Sequence, residues 1–253
     1  MRYHPLVIAV LLFEDDKIMR QGVRKHFFNE NYFKSIDSED KAYWLGFIAA
    51  DGSVIKSSEY NSYRLQIALS NVDIKHLSTF LENIGANDIK IQIIEPFGFT
   101  EGLKDKNTVR IVLNSYKLCS DLYKFNIHQN KTYDVKMPNI LDDMIPHYLR
   151  GLFDGDGSYY CHYDSKYNRY RYSFELVSAS KIMVHQIQEY LLSKNIKTNI
   201  YVRKSPSSDN NVYRLMTGSK KEMLKIIDLL YSDAHIYLDR KYNKINEIKN
   251  IAV

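Results

Sequence analysis

Two stretches of this chain repeat one another, and that repetition limits the folds open to it. Tyr43-Trp44-Leu45-Gly46-Phe47-Ile48-Ala49-Ala50-Asp51-Gly52-Ser53 and Tyr148-Leu149-Arg150-Gly151-Leu152-Phe153-Asp154-Gly155-Asp156-Gly157-Ser158 are both apolar, carry small residues four apart and end in Asp-Gly-Ser. Each reads as a buried helix closed by a glycine just past its end. The segments downstream of the two stretches are also alike. Residues 63–70 and 169–178 alternate apolar and polar side chains, the pattern of strands buried on one face. Helical patterns then cover 73–84 and 181–194. Further strands are predicted over 89–94, 108–113, 196–203 and 212–217, and closing helices over 115–125 and 220–232. Asp51 and Asp156, Ser70 and Ser178, and Lys131 and Lys241 keep a nearly constant spacing.

The chain is therefore expected to be an α/β (α+β) molecule built from two αββαββα repeats. Residues 1–35 form an N-terminal extension, 36–137 the first repeat and 138–253 the second, with Pro138 and Pro146 interrupting regular structure between them. A length of 253 residues with 45% apolar side chains suffices to bury a core of that size. Cys119 and Cys161 are too few for a disulfide framework, so an intracellular, reducing location, cytoplasmic or organellar, is the expectation. The longest apolar run, residues 5–13, falls well short of the roughly 20 residues that span a bilayer. No small-residue cleavage site comes after it, so a packed strand or helix is expected there and no membrane. Residues 166–253 hold 16 Lys and Arg against 8 Asp and Glu, whereas the rest of the chain is slightly acidic. A basic, tyrosine-rich final third fits a polyanionic partner.

Residues 44–52, WLGFIAADG, and 149–157, LRGLFDGDG, resemble the signature of the LAGLIDADG homing endonucleases in their single-chain, two-motif form. The resemblance extends over roughly residues 36–248. It implies that the two motif helices pack side by side at the centre, with Gly46, Ala50, Gly151 and Gly155 permitting close approach. It also implies a monomer with internal pseudo-two-fold symmetry that cuts both strands of a long double-stranded DNA site, encoded by a mobile intron or a free-standing gene. Asp51 and Asp156 would then meet at the helix ends as catalytic carboxylates and share divalent metal with the backbone at Ala50 and Gly155. Two such carboxylates repel unless protonated or bridged, and Mg2+, a hard cation served by oxygen ligands, suits them. Lys131 and Lys241 correspond to the lysines that come after the last helix of each repeat in relatives and are the further catalytic candidates. At the sixth motif position this chain has Ala49 in one copy and Asp154 in the other, and Asp154 is expected to serve packing or polar satisfaction. The eight histidines are dispersed and read as structural or surface residues.

If the apolar strand faces pack on helices, the opposite faces form a DNA-binding saddle. That face would carry Arg64, Gln66, Lys90, Gln92 and Arg110 in the first half. In the second it would carry Arg169, Arg171, Ser173, Glu175, Lys197, Asn199, Tyr201, Arg203 and Arg214. Arg, Gln, Asn and Glu can bond base edges, and Lys and Arg neutralise phosphates. Residues 21–29, polar and basic, are a candidate DNA-contacting extension. The alternatives on this scaffold are an RNA-binding intron maturase and a DNA-binding regulator without cleavage. The latter has no need of paired carboxylates.

Overall fold

The computed structural model describes residues 26–56, 62–95, 107–204 and 211–252, so the expectations for residues 5–13 and 21–25 lie outside the described residues. The first half runs α1 (Glu39–Asp51), β1 (Gly52–Lys56), β2 (Tyr63–Ser70), α2 (Ile74–Ile84), β3 (Gln92–Ile94), β4 (Thr108–Asn114) and α3 (Tyr116–Lys124). The second half runs α4 (Ile145–Asp156), β5 (Gly157–Asp164), β6 (Arg169–Ser178), α5 (Lys181–Ser193), β7 (Asn199–Lys204), β8 (Asn211–Thr217) and α6 (Lys220–Tyr231). A further helix, α7 (Asp239–Ala252), closes the second half, where the first has only a short turn at Lys131–Tyr133. Ser38, Ser115, Ser180 and Ser219 each cap a helix by accepting a backbone N–H three residues on.

Each half has one four-stranded antiparallel sheet, ordered β1-β2-β4-β3 and β5-β6-β8-β7. Register fixes the faces, because directly paired residues share a side. Leu65 opposite Leu113, and Ile67 opposite Ile111, point into the core, as do Phe174 opposite Thr217 and Leu176 opposite Leu215. The outer faces hold the polar alternates. Residues 32–36 belong to the same core through Tyr32, Phe33 and Ile36, and Asn29 N–H bonds to the Ile84 carbonyl.

The two motif helices lie against each other at the centre of that core. A methyl group at Gly46 would sit 1.9 Å from the Tyr148 carbonyl oxygen, and one at Gly151 1.9 Å from the Tyr43 carbonyl oxygen. The contact is reciprocal, as pseudo-two-fold packing requires. The closing glycines differ from expectation. Gly52 and Gly157 have φ of −83° and −84°, not the left-handed geometry of a glycine helix stop. Each strand starts directly from its helix, so the chain never needs to reverse there. Glycine is required for room instead, since a side chain would press within 2.5 Å of Ile48 and 2.7 Å of the Phe153 carbonyl oxygen.

Two strands are also shorter than their sequence pattern. Lys90 and Lys197 lie in the loops before β3 and β7 rather than on them. Ile89 N–H turns back to the Ala86 carbonyl. Lys197 N–H bonds to Glu222 and the Thr198 carbonyl accepts from Gln188, so side chains satisfy this backbone in place of a strand partner.

Candidate active site and nucleic-acid interface

The close packing of α1 and α4 sets the geometry of their ends. A methyl group on Gly155 would lie 2.3 Å from the Ala50 side chain and 3.1 Å from Asp51 Oδ2, so the last turns touch and both acids emerge together. Lys131 and Lys241 arrive beside them from chain segments beyond the last sheet helix of each half. Lys131 Nζ donates to the Gly52 carbonyl at 2.5 Å. Lys241 Nζ donates to the carbonyls of Phe153 (2.8 Å), Gly155 (3.2 Å) and Gly157 (2.5 Å). Both ammonium groups thus sit on carbonyls where a helix becomes a strand, a place that favours cations.

Asp51 and Asp156 reach solvent but are ringed closely enough to lose hydration. Burial pushes Asp156 up to about 6, reinforced by the Asp51 charge and opposed by Lys241 and Lys131. Burial likewise raises Asp51 above the usual carboxylate range, against Lys241, Arg240 and Lys131. Burial lowers Lys241 to about 8 and lowers Lys131, with the two acids working in the opposite direction for each. The site is charge-crowded, with two carboxylates set against the ammonium groups of Lys131 and Lys241.

Among the described residues no group of three or more His, Cys, Asp and Glu comes together. A cation at Asp51 and Asp156 would complete its shell from backbone carbonyls, water and a bound phosphate. That demand suits a hard divalent cation served by oxygen ligands. Of the two backbone positions expected to contribute, the Gly155 carbonyl is already shared with Lys241.

The outer sheet faces hold most of the sequence-predicted interface together. Arg64, Gln66, Lys90, Gln92 and Arg110 line one hollow of about 600 Å³ on the first sheet, with His26, Asp88 and Asn114. On the second, Arg169, Arg171, Ser173 and Glu175 share a face with Arg214, Asn199, Tyr201 and Arg203 across the strand pairs. Several of these groups already bond one another. Arg214 makes a two-pronged contact to Glu175, Arg171 pairs with Asp164 at 2.5 Å, and Arg110 donates twice to Gln92. Such pairs fix side-chain direction before any partner arrives.

Sequence reasoning counted a strand after each motif helix but gave no residues for β1 or β5, whose alternation was legible. Ser53 and Ile55, and Ser158, Tyr160, His162 and Asp164, lie on the same outer faces by register. It also missed Lys166 and Tyr167 at the tip of the β5–β6 hairpin, where Lys166 and the predicted Arg169 and Arg171 all lie 5.1–5.5 Å from the Tyr167 ring, which is 54% exposed. Cations and an open aromatic face are the parts of a nucleic-acid stacking platform. A third omission is Arg150, an arginine in the middle of an apolar motif. It is buried, donates to the Ile236 and Leu230 carbonyls, and pairs with Glu39 of α1 at 2.5 Å.

Residues 143–231 match the LAGLIDADG-like domain. No curated protein matches the chain in sequence. Among solved structures, the LAGLIDADG meganuclease I-AabMI bound to uncleaved DNA is 14% identical, with a TM-score of 0.56 over 83% of this chain and 89% of that one. The LAGLIDADG homing endonuclease I-GzeII in complex with its DNA target is 13% identical, with a TM-score of 0.53 over 83% and 89%. I-DmoI in complex with DNA and Ca is 14% identical, with a TM-score of 0.50 over 88% and 99%. No described helix is long and apolar enough to cross a membrane. The chain is therefore a two-repeat LAGLIDADG-fold protein, with a LAGLIDADG-like domain in its second half.

Proposed function

We propose that the chain is a divalent-metal-dependent homing endonuclease that hydrolyses one phosphodiester bond in each strand of a long duplex site. The observation that carries this reading is the pair Asp51 and Asp156 on touching helix ends, flanked by Lys131 and Lys241. Asp51 and Asp156 would hold the cation, with the backbone at Ala50 and Gly155 close by. When bound, it supplies a more acidic water and stabilisation of the leaving oxygen. The ammonium groups of Lys131 and Lys241 offset negative charge that develops on the scissile phosphates. Their bonds to helix-end carbonyls keep that charge fixed in place during reaction.

Arg64, Gln66, Arg171, Asn199 and Arg203 are proposed to read base edges, and the lysines and remaining arginines to hold phosphates. Tyr167 and its three cations add contact area at the hairpin tip. The structural relatives bound to DNA, one of them also holding Ca, support the reading. It is tested on a supercoiled plasmid library carrying randomised duplex inserts. Linear product that converges on one sequence with Mg2+ and vanishes in EDTA is expected. No linear product, with tighter binding to folded RNA than to duplex DNA, would favour the maturase instead.

A further inference from the structure

One carboxylate at the centre of the molecule has no part in the mechanism above. Asp154 is fully buried and gathers donors from three places. Tyr43 of α1 donates at 2.8 Å, Tyr231 of α6 at 2.6 Å, and the Leu238 backbone N–H at 2.8 Å. Tyr43 gives its one hydroxyl proton to Asp154, so its oxygen accepts Nε2–H of His76 in α2 at 3.0 Å. A continuous polar chain thus runs from the first half to the start of α7, through a largely apolar core.

The Leu238 bond has the longest reach. The Leu238 carbonyl accepts from the N–H groups of Lys241 and Tyr242 at 2.9 and 3.0 Å, so α7 is wound from this residue. Lys241 stands three positions on, and its ammonium group returns to the carbonyls of Phe153 and Gly155, on either side of Asp154. The loop is closed: side chain of Asp154, backbone of Leu238, one helical turn, Lys241, end of α4. The first half lacks it. Ala49 stands at the matching motif position, and Lys131 sits on a short turn, its ammonium group making one hydrogen bond among the described residues, to the Gly52 carbonyl.

We propose that Asp154 is a positioning residue. By holding the Leu238 N–H it fixes the first turn of α7 and seats the Lys241 ammonium group beside Asp156, and this brace exists in the second half alone. The effect on strand cutting rests on the endonuclease reading, whereas the seating of α7 does not. Because the device is a hydrogen bond, Asn at position 154 retains an oxygen for Leu238 and Ala does not.

Native-state amide exchange on the full chain, without metal or DNA, reads the seating directly. Exchange at residues 238–242 should quicken at least ten-fold in Asp154→Ala relative to wild type and return toward wild type in Asp154→Asn, with α3 unchanged. In parallel, with Mg2+ and target plasmid, Asp154→Ala should accumulate nicked circles, slow the second cut at least ten-fold and leave duplex affinity unchanged. Adding Asp154→Ala to Lys241→Met should slow cutting no further. Wild-type protection at 238–242 in a folded Asp154→Ala protein overturns the proposal. If that variant does not fold, the wild-type Leu238 amide decides. Protection like that of α4 supports the brace, and exchange like an open loop overturns it. A wild type that cuts neither strand removes the endonuclease reading, while the exchange result still judges the seating.

Discussion

Replacing Gly151 with alanine places a methyl carbon 1.9 Å from the Tyr43 carbonyl oxygen and 2.8 Å from the Phe47 backbone nitrogen. Non-bonded carbon contacts settle near about 3.5 Å, so α1 and α4 must part by roughly 1.5 Å to admit it. Both obstacles are backbone, and no change of rotamer can relieve them. Overpacking costs about 1–3 kcal/mol in ordinary cores, and this contact at the central helix pair belongs at the top of that range. Helix propensity acts the other way, favouring alanine over glycine by about 1 kcal/mol. The net expectation is a loss of about 2 kcal/mol, which for a chain of this size lowers Tm by about 4–8 °C. Parting the helices also separates Asp51 from Asp156, so DNA cleavage measured well below Tm should fall even where the variant is fully folded. Calorimetry of wild type, Gly46→Ala and Gly151→Ala checks the first point, and the symmetry of the contact predicts similar losses. A Gly151→Ala protein as stable as wild type, or more stable, would mean that helix propensity governs this position and that the close crossing is not built as described.

Asp156 has a raised pKa, so the folded state favours its proton, and stability from this group is lost as pH rises from the ordinary carboxylate value through about 6. Asp156→Asn should therefore raise Tm in EDTA at pH 7.5, lose that advantage below about pH 4, and abolish the Tm increase that Mg2+ gives the wild type. Glu39→Ala removes the partner of buried Arg150 and should cost about 3–5 kcal/mol by chemical denaturation, because a charge is left in the core. Duplex affinity should fall by about 10³ or more between about 50 and 200 mM salt. Tyr167→Ala should weaken duplex binding by about 1–3 kcal/mol in titrations at fixed salt if bases or sugars stack on its ring.

The sheets and motif helices were legible because their signals are periodic and appear twice. Leu65, Ile67 and Leu69 alternate with polar neighbours, and the register turns that alternation into two faces. Paired aspartates at equivalent positions were legible for the same reason. The limits of β3 and β7 were not, because a backbone turn from Ile89 to Ala86 precedes β3, and the side chains of Glu222 and Gln188 take the backbone bonds before β7 that a strand partner would make. The lysines were legible as positions and not as geometry. Only the fold reveals that the Lys241 ammonium group spends its three bonds on the end of α4 and the first residue of β5. Asp154, a polar residue within an apolar motif, was legible as needing polar partners, and Arg150 could have been singled out in the same way, yet nothing local names Glu39, Tyr231 or Leu238. Such partners are chosen by the meeting of the two halves.

The two carboxylates are the centre of the proposed chemistry, and cleavage by Asp51→Asn and Asp156→Asn tests their role most directly. Each protein is titrated with target duplex by gel shift in Ca2+ and assayed on supercoiled target plasmid in Mg2+. The prediction is duplex affinity within a few-fold of wild type and no cutting of either strand by either variant. Linearisation by Asp156→Asn at the wild-type rate would contradict it, whatever the binding result.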